Sequence, residues 1–175
     1  MLDQINTALQ NYFTQWQAVQ GARTDETFFA ALKPVALGWK TQDRAEYDRI
    51  YAELHDDCDH ISEVWMNGRW IAKIHLRDQQ VEGGIKIIKL MERRPESTDA
   101  TGLDHVDFYT EATDNGRLVL AAEPNLKWTE ETNDVLDDYT WISIWFGETE
   151  AKLKHSTVIN NVIRELEIIN QQIIA

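Results

Sequence analysis

Asn67-Gly68 stands between two runs rich in β-branched and aromatic residues, HISEVWM and RWIAKIHL. That dipeptide suits the type I′ turn of a two-residue hairpin, so the two runs are expected to pair as antiparallel strands. The elements around the hairpin extend the pattern. VALGW, from Val35, reads as a strand. TQDRAEYDRIYAELHDD reads as a helix with Ala45, Ile50 and Leu54 facing inward, and GIKIIKLM as a further strand. Residues 34–94 therefore read β-α-β-β-β. After the turn-rich RRPESTDATG the order recurs over 103–155: the strand LDHVDFY, a helix at RLVLAAE, then LKWTEE, TWISIWF and EAKLKH, the last two joined at Gly147. The order of elements is the repeat, and no residue identity carries it.

Helices are expected at both ends. Leu2, Ile5, Leu9, Tyr12, Phe13, Trp16 and Val19 recur at spacings of three and four, with Gly21 as the stop. Thr24, Asp25 and Glu26 open a second helix with Phe28, Phe29 and Leu32 on its apolar face, and Pro34 ends it. Ser156 caps a C-terminal helix whose stripe is Val158, Val162, Ile163, Leu166, Ile169 and Ile173. The expected architecture is α+β: two tandem β-α-β-β-β modules forming a curved mixed sheet around a cleft, with an N-terminal helical pair and a C-terminal helix. The reading divides 1–175 as a single domain into 1–33, 34–94, 103–155 and 156–175.

Charge narrows the function. Thirty Asp and Glu against 17 Lys and Arg give a net charge of −13, which argues against nucleic acid or an anionic membrane as partner, since both need a basic surface. One Cys excludes an internal disulfide. No apolar run is long enough to span a bilayer, and MLDQINTALQNYF lacks a secretory pattern. The expectation is a soluble cytoplasmic protein that binds a small molecule, with a homodimer as a further expectation.

Strand alternation puts His105, Asp107 and Tyr109 on one face and Val106 and Phe108 on the other. Asp107 could then hold His105 as a general acid or base; the alternative is a polar, partly solvated sheet face without catalysis. Trp141, Ser143 and Trp145 share a face, with Ile142, Ile144 and Phe146 opposite. HDDCDH at 55–60 is dense in ligand-type side chains but has no metal spacing, and it reads as a solvated helix exit and turn.

NGRWIAKIHL, GLDHVDFY and GETEAKLKHS, with the N-terminal helical pair, resemble the YecM-type proteins of the glyoxalase/bleomycin-resistance/dioxygenase group, whose fold is the vicinal oxygen chelate. The resemblance implies a cleft with a metal held by the first and last strands of each module. Carried across, the second module's first-strand ligand falls on His105. The other three positions fall near Pro34, Lys89 and Lys154, with His155 beside the last on the opposite face. Asp59-His60-Ile61-Ser62 resembles the family's usual first strand, but by position it belongs to the module's second strand.

The resemblance implies a small-molecule binder with a degenerate metal site. His105, Asp107, Tyr109, Lys89, Lys154 and Trp145 would line its cleft, and the two lysines would suit an anionic metabolite. No cofactor is expected on that reading. The alternatives are a metal-dependent lyase, isomerase or dioxygenase-like enzyme using Zn, Mn, Ni or Fe with His105 and His155 as ligands, and a dimerising module without a ligand.

Overall fold

The computed structural model describes residues 1–66, 68–78, 81–98, 100–132 and 140–155. In chain order the elements are α1 (Leu2–Gln20), α2 (Glu26–Ala31), β1 (Lys33–Lys40), α3 (Arg44–His55), β2 (Cys58–Met66), β3 (Arg69–Leu76), β4 (Ile87–Met91), β5 (Gly102–Tyr109), α4 (Arg117–Ala121), β6 (Lys127–Thr132), β7 (Thr140–Phe146) and β8 (Thr149–Lys154). The strands follow the order β2-β3-β4-β1-β5-β8-β7-β6, with β1 and β4 parallel and the hairpins antiparallel. This is the α+β, mixed-sheet architecture expected from the sequence. The expected C-terminal helix and Asn67 lie outside the described residues. No described helix is long and apolar enough to cross a membrane.

The chain forms two compact units. One comprises Met1–Gln15 and Pro34–Val106, the other Trp16–Lys33 and Asp107–Ala175, so α1 and β5 each contribute to both. In the first unit β2 and β3 pair from Met66↔Arg69 to His60↔His75, and Gly68 adopts φ 73° at the tip. Asp43 caps α3 by accepting from the Glu46 N–H at 2.8 Å, and the Glu46 carboxylate accepts from the Gln42 N–H at 2.6 Å. This reciprocal cap fixes where the helix begins. The buried residues of α3 are Tyr47, Ile50 and Leu54, and Ala45 is exposed, contrary to the expected face. Tyr47 takes the inward position because its hydroxyl finds a partner there, donating to Glu63 at 2.7 Å. The sheet face carrying Glu63 also presents Leu37, Ile74, Ile88 and Leu90, all fully buried. Ile5, Leu9 and Tyr12 of α1 are buried too.

In the second unit the cap of α2 is Asp25, whose carboxylate accepts from the Phe28 N–H at 2.9 Å. Trp16 stacks on Phe108 at 4.8 Å and meets Phe146 at 5.6 Å and Phe29 at 6.2 Å, an aromatic core under one sheet face. The segment around Asp114-Asn115-Gly116 is a helix start, as expected over RLVLAAE. Asp114 accepts from the N–H groups of Gly116 and Leu118 at 3.0 Å each, which satisfies donors that α4 leaves open. Thr140–Phe146 matches the expected strand, and Gly147 turns into β8 with φ 66°.

Candidate functional site

Residues directly opposed on paired strands share a face, and the face alternates along each strand. In the first unit this rule defines three rows on the face opposite Glu63: His60–His75–Ile87–Ala36, Ser62–Lys73–Lys89–Gly38, and Val64–Ile71–Met91–Lys40. Three lysines and two histidines occupy these rows, and no strand position in them is a carboxylate. Lys73 and Lys40 are buried, each 7% exposed, and Lys89 is half-buried. The His60 and His75 rings stand 5.8 Å apart in an edge-on arrangement. Burial, His60 and Lys73, in that order, hold the His75 imidazole below its usual range.

His105 joins this face from β5. A Cβ on Gly38 would lie 2.4 Å from the His105 Cε1, so the imidazole occupies space that any other residue at 38 would fill. Its Nδ1 lies 2.8 Å from the Asp104 carboxylate, whose other oxygen is 2.7 Å from the Lys40 ammonium. Burial would raise the Asp104 carboxyl, but His105 and Lys40 together hold it well below the ordinary carboxylate range. Asp104 is therefore ionised and acceptor-only, so the His105 Nδ1 carries the proton and donates to it. The carboxylate that orients His105 is Asp104 and not the expected Asp107, because the ring lying over Gly38 turns its Nδ1 back to its own neighbour.

The second unit balances its polar face differently. Asp107, 1% exposed, lies 3.2 Å from the Lys154 ammonium, itself 5% exposed. Glu150 meets Lys152 at 3.5 Å. Alternation along β7 puts Trp141, Ser143 and Trp145 on one face, with Lys152 opposite Ser143 and Glu150 opposite Trp145. Ammonium groups stand over these rings: Lys152 at 5.7 Å and Lys154 at 6.0 Å from Trp141, and Lys127 at 5.6 Å from Trp145. The Ser143 hydroxyl is fully buried, with no hydrogen-bond partner among the described residues.

Two expected site residues lie away from these faces. Tyr109 is half-buried and lines a cavity of about 240 Å³ with Phe28, Ala31, Leu32 and Ala112. His155 follows the end of β8, exposed, with its backbone N–H donating to Asn115 at 2.6 Å and its Nδ1 3.3 Å from the Thr110 carbonyl. In the HDDCDH run His55, Asp56, Asp59 and His60 are exposed, and the Cys58 thiol donates to the His55 carbonyl at 3.0 Å.

The fold has relatives among solved structures. The chain is similar to the structural-genomics protein EC4020, with a TM-score of 0.64 at 18% identity, over 94% of this chain and 88% of that one. Methylmalonyl-CoA epimerase from Mycobacterium tuberculosis also matches, with a TM-score of 0.48 at 14% identity, over 69% of this chain and 85% of that one. No family model matches the sequence, and no curated protein matches it significantly.

Among the described residues, groups of metal-ligand type are offered by Asp104 and His105 in the first unit and by Glu150 in the second. Each carboxylate is held by an ammonium, Asp104 by Lys40 and Glu150 by Lys152, and the His105 Nδ1 is turned to Asp104. A divalent cation at Asp104 would have to compete with the Lys40 ammonium, and one at Glu150 with that of Lys152. The sequence reading did not single out Gly38, Lys40, Asp104, Lys73 or His75, and it read His60 as part of a solvated helix exit and turn. For Lys73 and His75 a signal was present: Ile71, Lys73 and His75 alternate against Ala72, Ile74 and Leu76, and the two-residue turn pins their partners on β2.

Proposed function

We propose that this chain binds a small anionic metabolite on the polar sheet face of its first unit, as a YecM-like member of the glyoxalase/bleomycin-resistance/dioxygenase superfamily acting there without a metal. The observation that carries this reading is the three-row face itself. A chain of net charge −13 with only 17 basic residues places Lys40, Lys73 and Lys89 together on it, with His60, His75 and His105 beside them. Carboxylate and phosphate groups are the ligand chemistry such a face selects. Lys154 is paired with Asp107 and Lys40 with Asp104.

The test uses protein purified without a nickel column. Metal analysis should find no stoichiometric Zn, Mn, Ni or Fe, and a panel of dicarboxylates and sugar phosphates should raise the melting temperature. Lys89→Ala should abolish that rise. Stoichiometric metal that disappears in His105→Ala would instead favour the metal-dependent enzyme.

One observation favours a second reading, an enzyme of general acid–base type. Asp104 accepts from the His105 Nδ1 and fixes its tautomer, the arrangement used by a histidine that moves protons. On that reading, a bound carboxylate that stabilises the protein exchanges its α-hydrogen in D₂O, and His105→Gln stops the exchange while binding persists.

A further inference from the structure

Tyr109, which stands away from the polar sheet faces, lines a cavity of about 240 Å³ that lies wholly within the second unit. Two segments form it. α2 and its exit bring Phe28, Ala31, Leu32 and Lys33, and the end of β5 with the turn after it brings Tyr109 and Glu111. The walls are held in place by their own contacts. The Phe28 ring lies on Gly116, where a Cβ would stand 2.2 Å from its Cζ, and it meets Phe29 edge-on at 5.3 Å. Asp25 caps α2, and Gln20 donates to the Phe29 carbonyl at 2.7 Å. On the other side the Ala112 N–H donates to the Thr110 hydroxyl oxygen at 3.1 Å.

Three polar groups border this apolar space. Among the described residues none bonds the Tyr109 hydroxyl, and neither Lys33 nor Glu111 has an ion-pair partner. Lys33 and Glu111 are both exposed, and they come from the two different segments, one charge of each sign. We propose that the cavity binds a free α-amino acid with an aromatic side chain. The ring enters the apolar space, Glu111 holds the ammonium, and Lys33 holds the carboxylate on its flexible stem. The Tyr109 hydroxyl adds a hydrogen bond to the same carboxylate. Size supports this occupant: an apolar cavity of about 150 Å³ takes one benzene ring, and drug-sized ligands need about 300–1,000 Å³. A space of about 240 Å³ lies between the two and suits one aromatic side chain. Charge supports it as well. A residue inside a peptide carries neither terminal charge and an end residue carries one, so a pair of opposite charges selects the free amino acid. The chain's net charge of −13 repels a simple carboxylate at long range, whereas a zwitterion has no net charge to repel. This site stands apart from the ligand face of the first unit and does not rest on it.

The experiment titrates the full chain by calorimetry with L-phenylalanine and two analogues. 3-Phenylpropanoate lacks the ammonium, and phenylalaninamide lacks the carboxylate. Phenylalanine should bind saturably at one site, and each analogue about tenfold more weakly. Glu111→Gln should weaken phenylalanine about tenfold and leave 3-phenylpropanoate unchanged. Lys33→Gln should weaken phenylalanine by a similar factor and leave phenylalaninamide unchanged. The unchanged analogue in each case reports that the cavity itself is intact. Ala31→Phe, which adds a ring to the cavity from an exposed helix position, should abolish binding. The proposal is overturned if phenylalanine does not bind, or if either analogue binds as tightly. It is equally overturned if Ala31→Phe or the two charge variants leave phenylalanine binding unchanged. Anions that stabilise the protein through Lys89 while phenylalanine fails to bind would overturn this inference alone and leave the proposed function standing.

Discussion

In the first unit the polar sheet face sets Lys73 against Lys89 on neighbouring strands; in the second, Asp107 meets Lys154 and Glu150 meets Lys152. Both faces bury ammonium groups, which carries a desolvation cost on either side. The second supplies its own counter-charges from the same strands, and it packs its lysines over Trp141 and Trp145. The strand positions of the first unit's rows carry no carboxylate, and Asp104, which holds Lys40 at 2.7 Å, comes from β5. Similar architecture thus carries two charge patterns, one with carboxylates and ammonium groups paired on adjacent strands and one whose strand rows gather lysines and histidines.

The harshest way to break this contrast is to remove one counter-charge. Asp107→Ala leaves Lys154 buried beside an empty place, and the expected loss is about 3–5 kcal/mol of unfolding free energy in urea. Lys89→Ala, at a half-buried position opposite Lys73, should cost less, about 1 kcal/mol. If the two variants cost the same, the faces do not differ as described. Next in size is Gly38→Ala. The added methyl must displace the His105 ring, which should cost about 1–3 kcal/mol and shift the His105 resonances, with the Asp107–Lys154 pair unaffected.

The pH dependence separates the faces further. His75 has a folded pKa below its unfolded value, so the unfolded chain binds more protons as the pH drops through about 6.5. Stability should therefore fall on acidification below that point, and His75→Gln should flatten the fall. Asp104 acts in a lower window: its depressed pKa contributes stability present above about pH 3.9 and lost as the pH falls toward its folded value. Asp104→Asn should remove that part of the acid transition. The smallest expected effect is Ser143→Ala. Deleting a buried hydroxyl without a partner should be neutral or stabilising by up to about 1 kcal/mol, as thermal unfolding would show.

Element order and type were legible because each rests on a local signal. The Asn-Gly turn, the alternation in TWISIWF, the 3–4 spacing of Ile5, Leu9, Tyr12 and Trp16, and the proline after α2 act over a few residues. The site was less legible because it depends on which strands lie side by side. Lys89 was found on β4, but its neighbours Lys73 and Gly38 come from β3 and β1, and no local pattern names those pairings. Asp104 was hidden for another reason. Adjacent strand residues point to opposite faces in a regular strand, so a bond between the Asp104 and His105 side chains is not an expectation of alternation. Aromatic burial misled once, at α3, where Tyr47 displaced Ala45 because Glu63 could satisfy its hydroxyl.

The most direct test of the central claim compares anion stabilisation in Lys73→Ala and Lys152→Ala, one lysine from each face. Melting temperatures would be taken with sulfate and with malonate against chloride at matched ionic strength. The account predicts that both dianions stabilise the wild-type chain and the Lys152→Ala variant alike, and leave Lys73→Ala where it stands. Stabilisation that survives in Lys73→Ala and vanishes in Lys152→Ala would contradict it.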